Sequence, residues 1–250
     1  MSFCSQTWVG SLGRTRTPTK RTGFGMLQLL APKKTYSSSG QGDSDIMSSE
    51  QNTTHAVMAQ RHEAKDSLDD FPTPPWATRA LMEHVLNNDT KGRCLEPACN
   101  KGHMSKVLKE YFNEVESSDI YDYGYGKVNN FLDSSHKNFN WVITNPPFRL
   151  AEEFINKANE VASTGVAILA RTVFLESVGR YDRLFDLNPP THFAQFSERV
   201  PMVKGRLDKK ASTATSYAWF VWKKNFKFNS PKLIWIPPCR KSLEKEEDYA

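Results

Sequence analysis

Phe139-Asn140-Trp141-Val142-Ile143-Thr144-Asn145-Pro146-Pro147-Phe148 is the stretch on which the reading of this chain turns. Its first six residues suit a buried strand. The two prolines then stop that strand, because proline has no N–H for a ladder and fixes its own φ. Upstream, Cys94-Leu95 is a brief apolar run entering Glu96-Pro97-Ala98-Cys99-Asn100-Lys101-Gly102-His103, and residues 115–118 form a second strand pattern ending at Asp119. Apolar residues at helical spacing mark 77–86, 104–112 and 151–162, and a Ser-Thr-Gly turn leads to another strand over 166–170. Strands and helices alternate, which predicts an α/β fold with a doubly wound, mostly parallel sheet. A strongly aromatic strand over 216–222 follows, and 232–236 reads as an edge strand closed by Pro237-Pro238. Ligands of such sheets bind beyond the carboxyl ends of the strands, so Asn100, Asp119 and Asn145 are expected to share one crevice.

The flanks have a different character. Residues 1–66 are rich in Ser, Thr, Gly and Gln without sustained periodicity, and read as a disordered tail. The basic, acid-free start also has the composition of an organellar transit peptide; a flexible arm, or an extension ahead of a start at Met47 or Met58, are the alternatives. The globular domain is expected over 67–238, with a charged C-terminal tail over 239–250. Net charge is +5, yet all 28 acids and only 27 of the 33 basic residues lie from Asp43 onward, so the folded part is slightly acidic. Any grip on a phosphate backbone must come from a local patch. The four cysteines form no CxxC pair, which points away from a metal site or disulfide framework and toward a reducing compartment. No apolar run is long enough for a membrane span. Cytoplasm, of a bacterial or phage-infected cell, is the expected location.

Asn145-Pro146-Pro147-Phe148 is similar to the Asp/Asn/Ser-Pro-Pro-Tyr/Phe motif of the amino-methyltransferases. From about Asp69 to Trp222 the chain resembles the phage-type DNA adenine-N6 methyltransferases. The likeness includes the lead-in Phe71-Pro72-Thr73-Pro74-Pro75-Trp76, the turn Leu95-Glu96-Pro97-Ala98-Cys99, and a stretch over 196–219 with Val203-Lys204-Gly205-Arg206-Leu207-Asp208. The order of these elements is that of the gamma-type enzymes. The resemblance implies a class I, Rossmann-like methyltransferase using S-adenosylmethionine, with adenine N6 in DNA as target, no metal, and a monomer as the favoured state.

The chemistry fits the residues. An exocyclic amine on an aromatic ring is a poor nucleophile, because its lone pair is delocalised. Two acceptors on its N–H groups, the Asn145 side-chain oxygen and the Pro146 carbonyl, would localise that pair as charge develops. With Pro147 shaping the loop, Phe148 would stack on the flipped-out base. Glu96, Pro97, Ala98, Asn100 and Gly102 resemble the cofactor turn Asp/Glu-Pro-x-x-Gly-x-Gly. Asn100 stands at the first glycine position, tolerable because Asn enters left-handed conformations more easily than most residues. The following helix start would offer N–H groups to the methionine carboxylate. Asp119, with Asp122 as the alternative, is expected to accept from the ribose hydroxyls. Asn130 and Phe131 resemble the Asp-Phe-Leu element that holds the cofactor's adenine, with Asp133 turned to the other face if the segment is extended. Phe71, Thr73 and Pro74 would pack over the cofactor from the front; His103 and Cys99 read as packing residues.

For DNA contact the candidates are Arg171, Arg180, Lys204, Arg206, Lys209 and Lys210, with Arg199 and nearby Ser and Thr residues. With no separate recognition domain, sequence preference would fall to loops between Arg171 and Ala214. The same acceptor pair suits an RNA adenine or a protein glutamine amide. A non-catalytic binding protein that keeps the fold is a further alternative, favoured by Asn100 and Asn130.

Overall fold

Side chains alternate across a strand, and the two sides of this sheet bury separate cores. Trp141 and Ile143 point one way with Ala167, Leu169, Trp219 and Val221, while Val142 points the other way with Val166, Ile168, Ala218 and Phe220. The computed structural model of the protein describes residues 69–226 and 230–249, so the segment 1–66 read as a tail lies outside the described residues. Among the described residues eight strands form one sheet: β1 Arg93–Glu96, β2 Glu114–Asp119, β3 Lys127–Val128, β4 Phe139–Thr144, β5 Ala162–Arg171, β6 His192–Phe196, β7 Tyr217–Lys223 and β8 Lys232–Ile236. Their spatial order is β3-β2-β1-β4-β5-β7-β6-β8. Only β7 is reversed: it pairs antiparallel with β5 and β6, and the remaining pairs are parallel. The expected doubly wound, mostly parallel sheet is the one observed. Strand order switches direction between β1 and β4, which opens the crevice at their carboxyl ends.

The helices are α1 Pro75–Leu81, α2 His103–Leu108, α3 Ala151–Val161, α4 Val178–Arg180 and α5 Arg240–Leu243. α1 begins at proline, whose φ suits the first turn. It runs on into a π-helical turn, Met82–Leu86, and stops at Asn87 and Asn88, both at positive φ. Trp76 of α1 is fully buried, and the indole N–H of Trp219 donates to Ala77 O (3.0 Å), fixing α1 on the sheet. On the opposite face α3 buries Phe154, Ile155, Ala158 and Val161 along one stripe.

Residues 239–249, read from the sequence as part of a charged tail, are packed. Arg79, 3% exposed on α1, donates to Asp248 through both Nη atoms, to Glu110 through Nε and Nη2, and to the Leu243 carbonyl. Burial lowers the Arg79 pKa, but the flanking carboxylates outweigh it and hold the guanidinium charged. Cys94, Cys99 and Cys239 are buried and free. Among the described residues no cluster of His, Cys, Asp or Glu could hold a metal ion, and no helix is long and apolar enough to cross a membrane.

Candidate active site

A cleft of about 820 Å³, counting open solvent at its mouth, lies at the carboxyl ends of β1, β2 and β4. Asn100, Asp119 and Asn145 all line it. At the end of β4 the Asn145 amide nitrogen donates to the Phe71 carbonyl at 3.0 Å. Only an NH2 can donate to a carbonyl, so this bond fixes which way the amide faces. Asn145 Oδ1 is consequently the free end: it is buried and has no hydrogen-bond partner. Thr73 Oγ1, also lining the cleft, is likewise buried and unpartnered. Orphaned polar atoms of this kind call for a ligand or water to satisfy them.

The rest of the motif is held from the front. The Phe148 N–H donates to Asp69 Oδ2 (2.8 Å), and Leu150 N–H closes a turn on Pro147 O (3.0 Å). Pro147 lines the cleft, whereas the buried Pro146 and the half-buried Phe148 are not among its lining residues. The Phe148 ring lies 5.5 Å from that of Phe71, and the Arg171 guanidinium covers it at 4.0 Å from the centroid.

In the cofactor-like turn, Glu96, Pro97, Ala98, Cys99 and His103 face the cleft. Asn100 adopts φ +49°, the left-handed conformation that glycine would take at this position. Its side chain donates to Asp70 Oδ1 (2.7 Å), and its own N–H donates to Asp119 Oδ2 (2.9 Å). Gly102, at φ +80°, caps α2, and a Cβ there would meet the Tyr125 ring at 2.4 Å. Glu96 is 2% exposed; burial, with Asp119 adding to it, pushes its carboxyl up to about 8 despite the Ser105 hydroxyl that donates to it. Ser105 Oγ is also 2.6 Å from Ser117 Oγ. Burial raises the Asp119 pKa too, against the backbone donors Asn100 and Tyr121.

Ile120, Tyr121 and Tyr123, which follow Asp119, also line the cleft. Sequence reading passed over them, although apolar and aromatic residues next to a strand-end acid are a usable signal for a ring-bearing ligand. Asp122 is turned away, accepting from Gly124 N–H. Asn130 and Phe131 line the cleft, and Phe131 packs at 5.1 Å against Phe154. The segment after Asn130 is a turn, not extended, so Asp133 folds back and accepts from the Asn130 amide. Asn130 Oδ1 already accepts from Leu132 N–H (3.2 Å), leaving its second lone pair for a ligand. Pro74 caps α1 outside the cleft.

Several of the basic residues are engaged with protein groups. Arg171 sits on Phe148, and Arg180 sits on Phe174 with its Nη1 on the Phe174 carbonyl. Arg206 pairs with Asp208 (3.3 Å) and Lys209 with Glu246 (2.7 Å). Lys204 and Lys210 are exposed, on the loop closed by the Val203–Arg206 bridge and just after it. That loop joins the cleft through Gly205 N–H, which donates to Asp70 O (2.8 Å). Residues 69–71 thus touch the cofactor-like turn, the Asn-Pro-Pro-Phe loop and the basic loop together, and Asp69 and Asp70 were missed in the sequence.

No family model matches the chain, and no curated protein does. Among solved structures it is similar to a Pyrococcus horikoshii protein provisionally named an RNA methyltransferase: 17% identity, 65% of this chain against 90% of that one, TM-score 0.49. A type I restriction-modification methyltransferase subunit from Streptococcus thermophilus gives 12%, 74% against 50%, and 0.48. An S-adenosylmethionine-dependent O-methyltransferase from Thermotoga maritima gives 15%, 62% against 66%, and 0.42. The parallel sheet with β7 alone reversed, and the cleft at its switch point, follow from the strand pairing itself. The fold is a doubly wound, Rossmann-like α/β fold. The cleft lies at the switch point of the sheet, where ligands of open α/β sheets bind.

Proposed function

We propose that the protein is an S-adenosylmethionine-dependent N-methyltransferase acting on the exocyclic N6 of adenine in DNA. The observation that carries this reading is the Asn145 amide, pinned through its NH2 so that a buried oxygen without a partner is left at the cleft. S-adenosylmethionine, when bound, supplies an electrophilic methyl group. Thr73, Asp119, Ile120, Tyr121, Asn130 and Phe131 are the residues that would hold it, with Asp119 on the ribose hydroxyls. Gly102 and the left-handed Asn100 give the turn its close backbone approach.

Asn145 Oδ1 accepts one N–H of the target amine and the Pro146 carbonyl the other, so the nitrogen lone pair localises toward the methyl group. Phe148 stacks on the base once the Arg171 guanidinium moves off its ring. After transfer the nitrogen carries an extra proton and becomes acidic; that proton leaves to water, and no strong base is needed. DNA as the substrate rests on the resemblance of 71–76 and 203–208, and on Arg171 standing beside the motif.

The test is tritium transfer from labelled cofactor to DNA, RNA and protein, with Asn145→Ala in parallel. Label on DNA, identified as N6-methyladenine and reduced at least 100-fold in the variant, is the expected result. Label on protein alone would overturn the substrate, and an unimpaired variant would overturn the mechanism.

A further inference from the structure

A second recess, of about 710 Å³ counting open solvent, is lined by the end of β6 and the residues after it, by Thr172 just past β5, by the start of β7, and by Trp235 of β8. β6 and β8 run parallel to β5, so this recess opens on the same edge of the sheet as the Asn145 cleft. The two are divided by the end of β5. Arg171 lies on Phe148 on one side, and Thr172, the next residue, lines the recess on the other.

The lining has the parts that hold a planar ring with polar edges. Trp235 is 64% exposed, an unusual state for an indole on a strand. Its register partner is Gln195, so the two side chains stand side by side on one face. The Gln195 amide nitrogen donates to Phe196 O (2.9 Å) and Tyr217 O (3.4 Å), which turns its oxygen outward as an acceptor. Arg199 is anchored through Nη1 alone, on Ala214 O and Ser216 Oγ, and its Nε and Nη2 make up the remaining donor edge. Glu198, the one acid in the recess, is spent on α5: its Oε1 accepts from the N–H groups of Cys239 and Arg240 (both 2.7 Å). A stacking surface, an outward acceptor and a guanidinium edge recognise a nucleobase.

We infer that this recess is a second nucleobase subsite, taking another base of the strand that carries the target adenine. The inference rests on the nucleic-acid reading above. It assigns Trp235 to stacking and Gln195 and Arg199 to the base edge.

The probes are two fluorescent 20-mers, one of deoxyadenosine and one of abasic deoxyribose phosphate, titrated by anisotropy against the full chain, Trp235→Ala and Trp235→Phe. Wild type should bind the base-bearing strand more tightly. Trp235→Ala should weaken that binding about tenfold, leave abasic binding unchanged, and be largely restored in Trp235→Phe. Equal loss on both strands, or no loss on either, overturns the subsite. Tritium transfer to DNA in the same preparations separates the two readings. Wild type that methylates DNA while Trp235→Ala binds normally sinks this inference alone, whereas wild type that binds neither strand and methylates no nucleic acid sinks both.

Discussion

Replacing Glu96 by Gln tests the electrostatics of the cleft without touching the Asn145-Pro146-Pro147-Phe148 loop. Glu96 is almost fully buried beside Asp119, with Ser105 as its hydrogen-bond donor, and its carboxyl sits at about 8 against 4.5 in an exposed chain. The sign follows from proton counting. Between pH 4.5 and 8 the folded protein keeps a proton that the unfolded chain has released, so stability falls as pH rises through that window. Below pH 4.5 both states are protonated and the group is neutral to stability. Integrated across the window, the loss at pH 9 is about 5 kcal/mol. Gln keeps the shape and an oxygen for Ser105 but cannot ionise. The variant should match wild type within about 1 kcal/mol at pH 5 and exceed it by several kcal/mol at pH 9. Burial of Asp119 adds a slope of the same sign to both proteins, so the difference between them isolates Glu96. Urea unfolding followed by tryptophan fluorescence from pH 5 to 9 makes the measurement. Parallel stability curves for the two proteins would refute the reasoning, since they would mean that Glu96 is ionised in the folded state throughout.

Gly102→Ala, which places a Cβ in the Tyr125 ring at positive φ, should lose about 2–4 kcal/mol, while Gly205→Ala, at φ +78° with nothing nearer than Asp70 Oδ2 at 3.8 Å, should lose only about 1–2 kcal/mol; paired urea melts give the comparison. Arg79→Met strips Asp248, whose side chain is 4% exposed, of its partner, and should cost about 3–5 kcal/mol and release the C-terminal segment to proteolysis. Asp69→Ala removes the acceptor for Phe148 N–H and should lower kcat about 10- to 100-fold with cofactor affinity held, checked by single-turnover methyl transfer and calorimetry.

What could be read from the sequence follows from how local each signal is. β4 and β8 begin and end where the sequence puts them, and their ends are set by Pro146, separated from β4 by Asn145 alone, and Pro237, directly after β8, because a ladder cannot pass a residue without an N–H. α3 carries its apolar stripe openly and differs from expectation by one residue. β6 was missed: His192 and Gln195 break its apolar run, and its buried side chains, His192, Ala194 and Phe196, are a mixed set that reads as burial only once β7 lies beside them. β3 pairs through just Lys127 and Val128, too short for any period to show. The C-terminal segment looked like a solvated tail because its acids and bases are dense. Its anchor is Arg79, far back in the chain, and a contact across that distance leaves no mark on local composition.

The same distinction explains the site. Asn100 was legible because its tolerance of positive φ belongs to the residue itself, and the chain adopts that conformation there. Asp69 and Asp70 were not, because their worth lies in reaching Phe148, Asn100 and Gly205, each on a different loop. Those bonds tie a target-side loop, a cofactor-side turn and a basic loop to three consecutive residues. A shift of the lead-in would therefore move the Asn145 amide, through Phe71 O, and the Asn100 turn together. On the proposed function, a ligand that seats against Thr73 and Asn100 would also orient the Asn145 acceptor through residues 69–71, so cofactor should tighten binding of the target strand even where no contact joins the two.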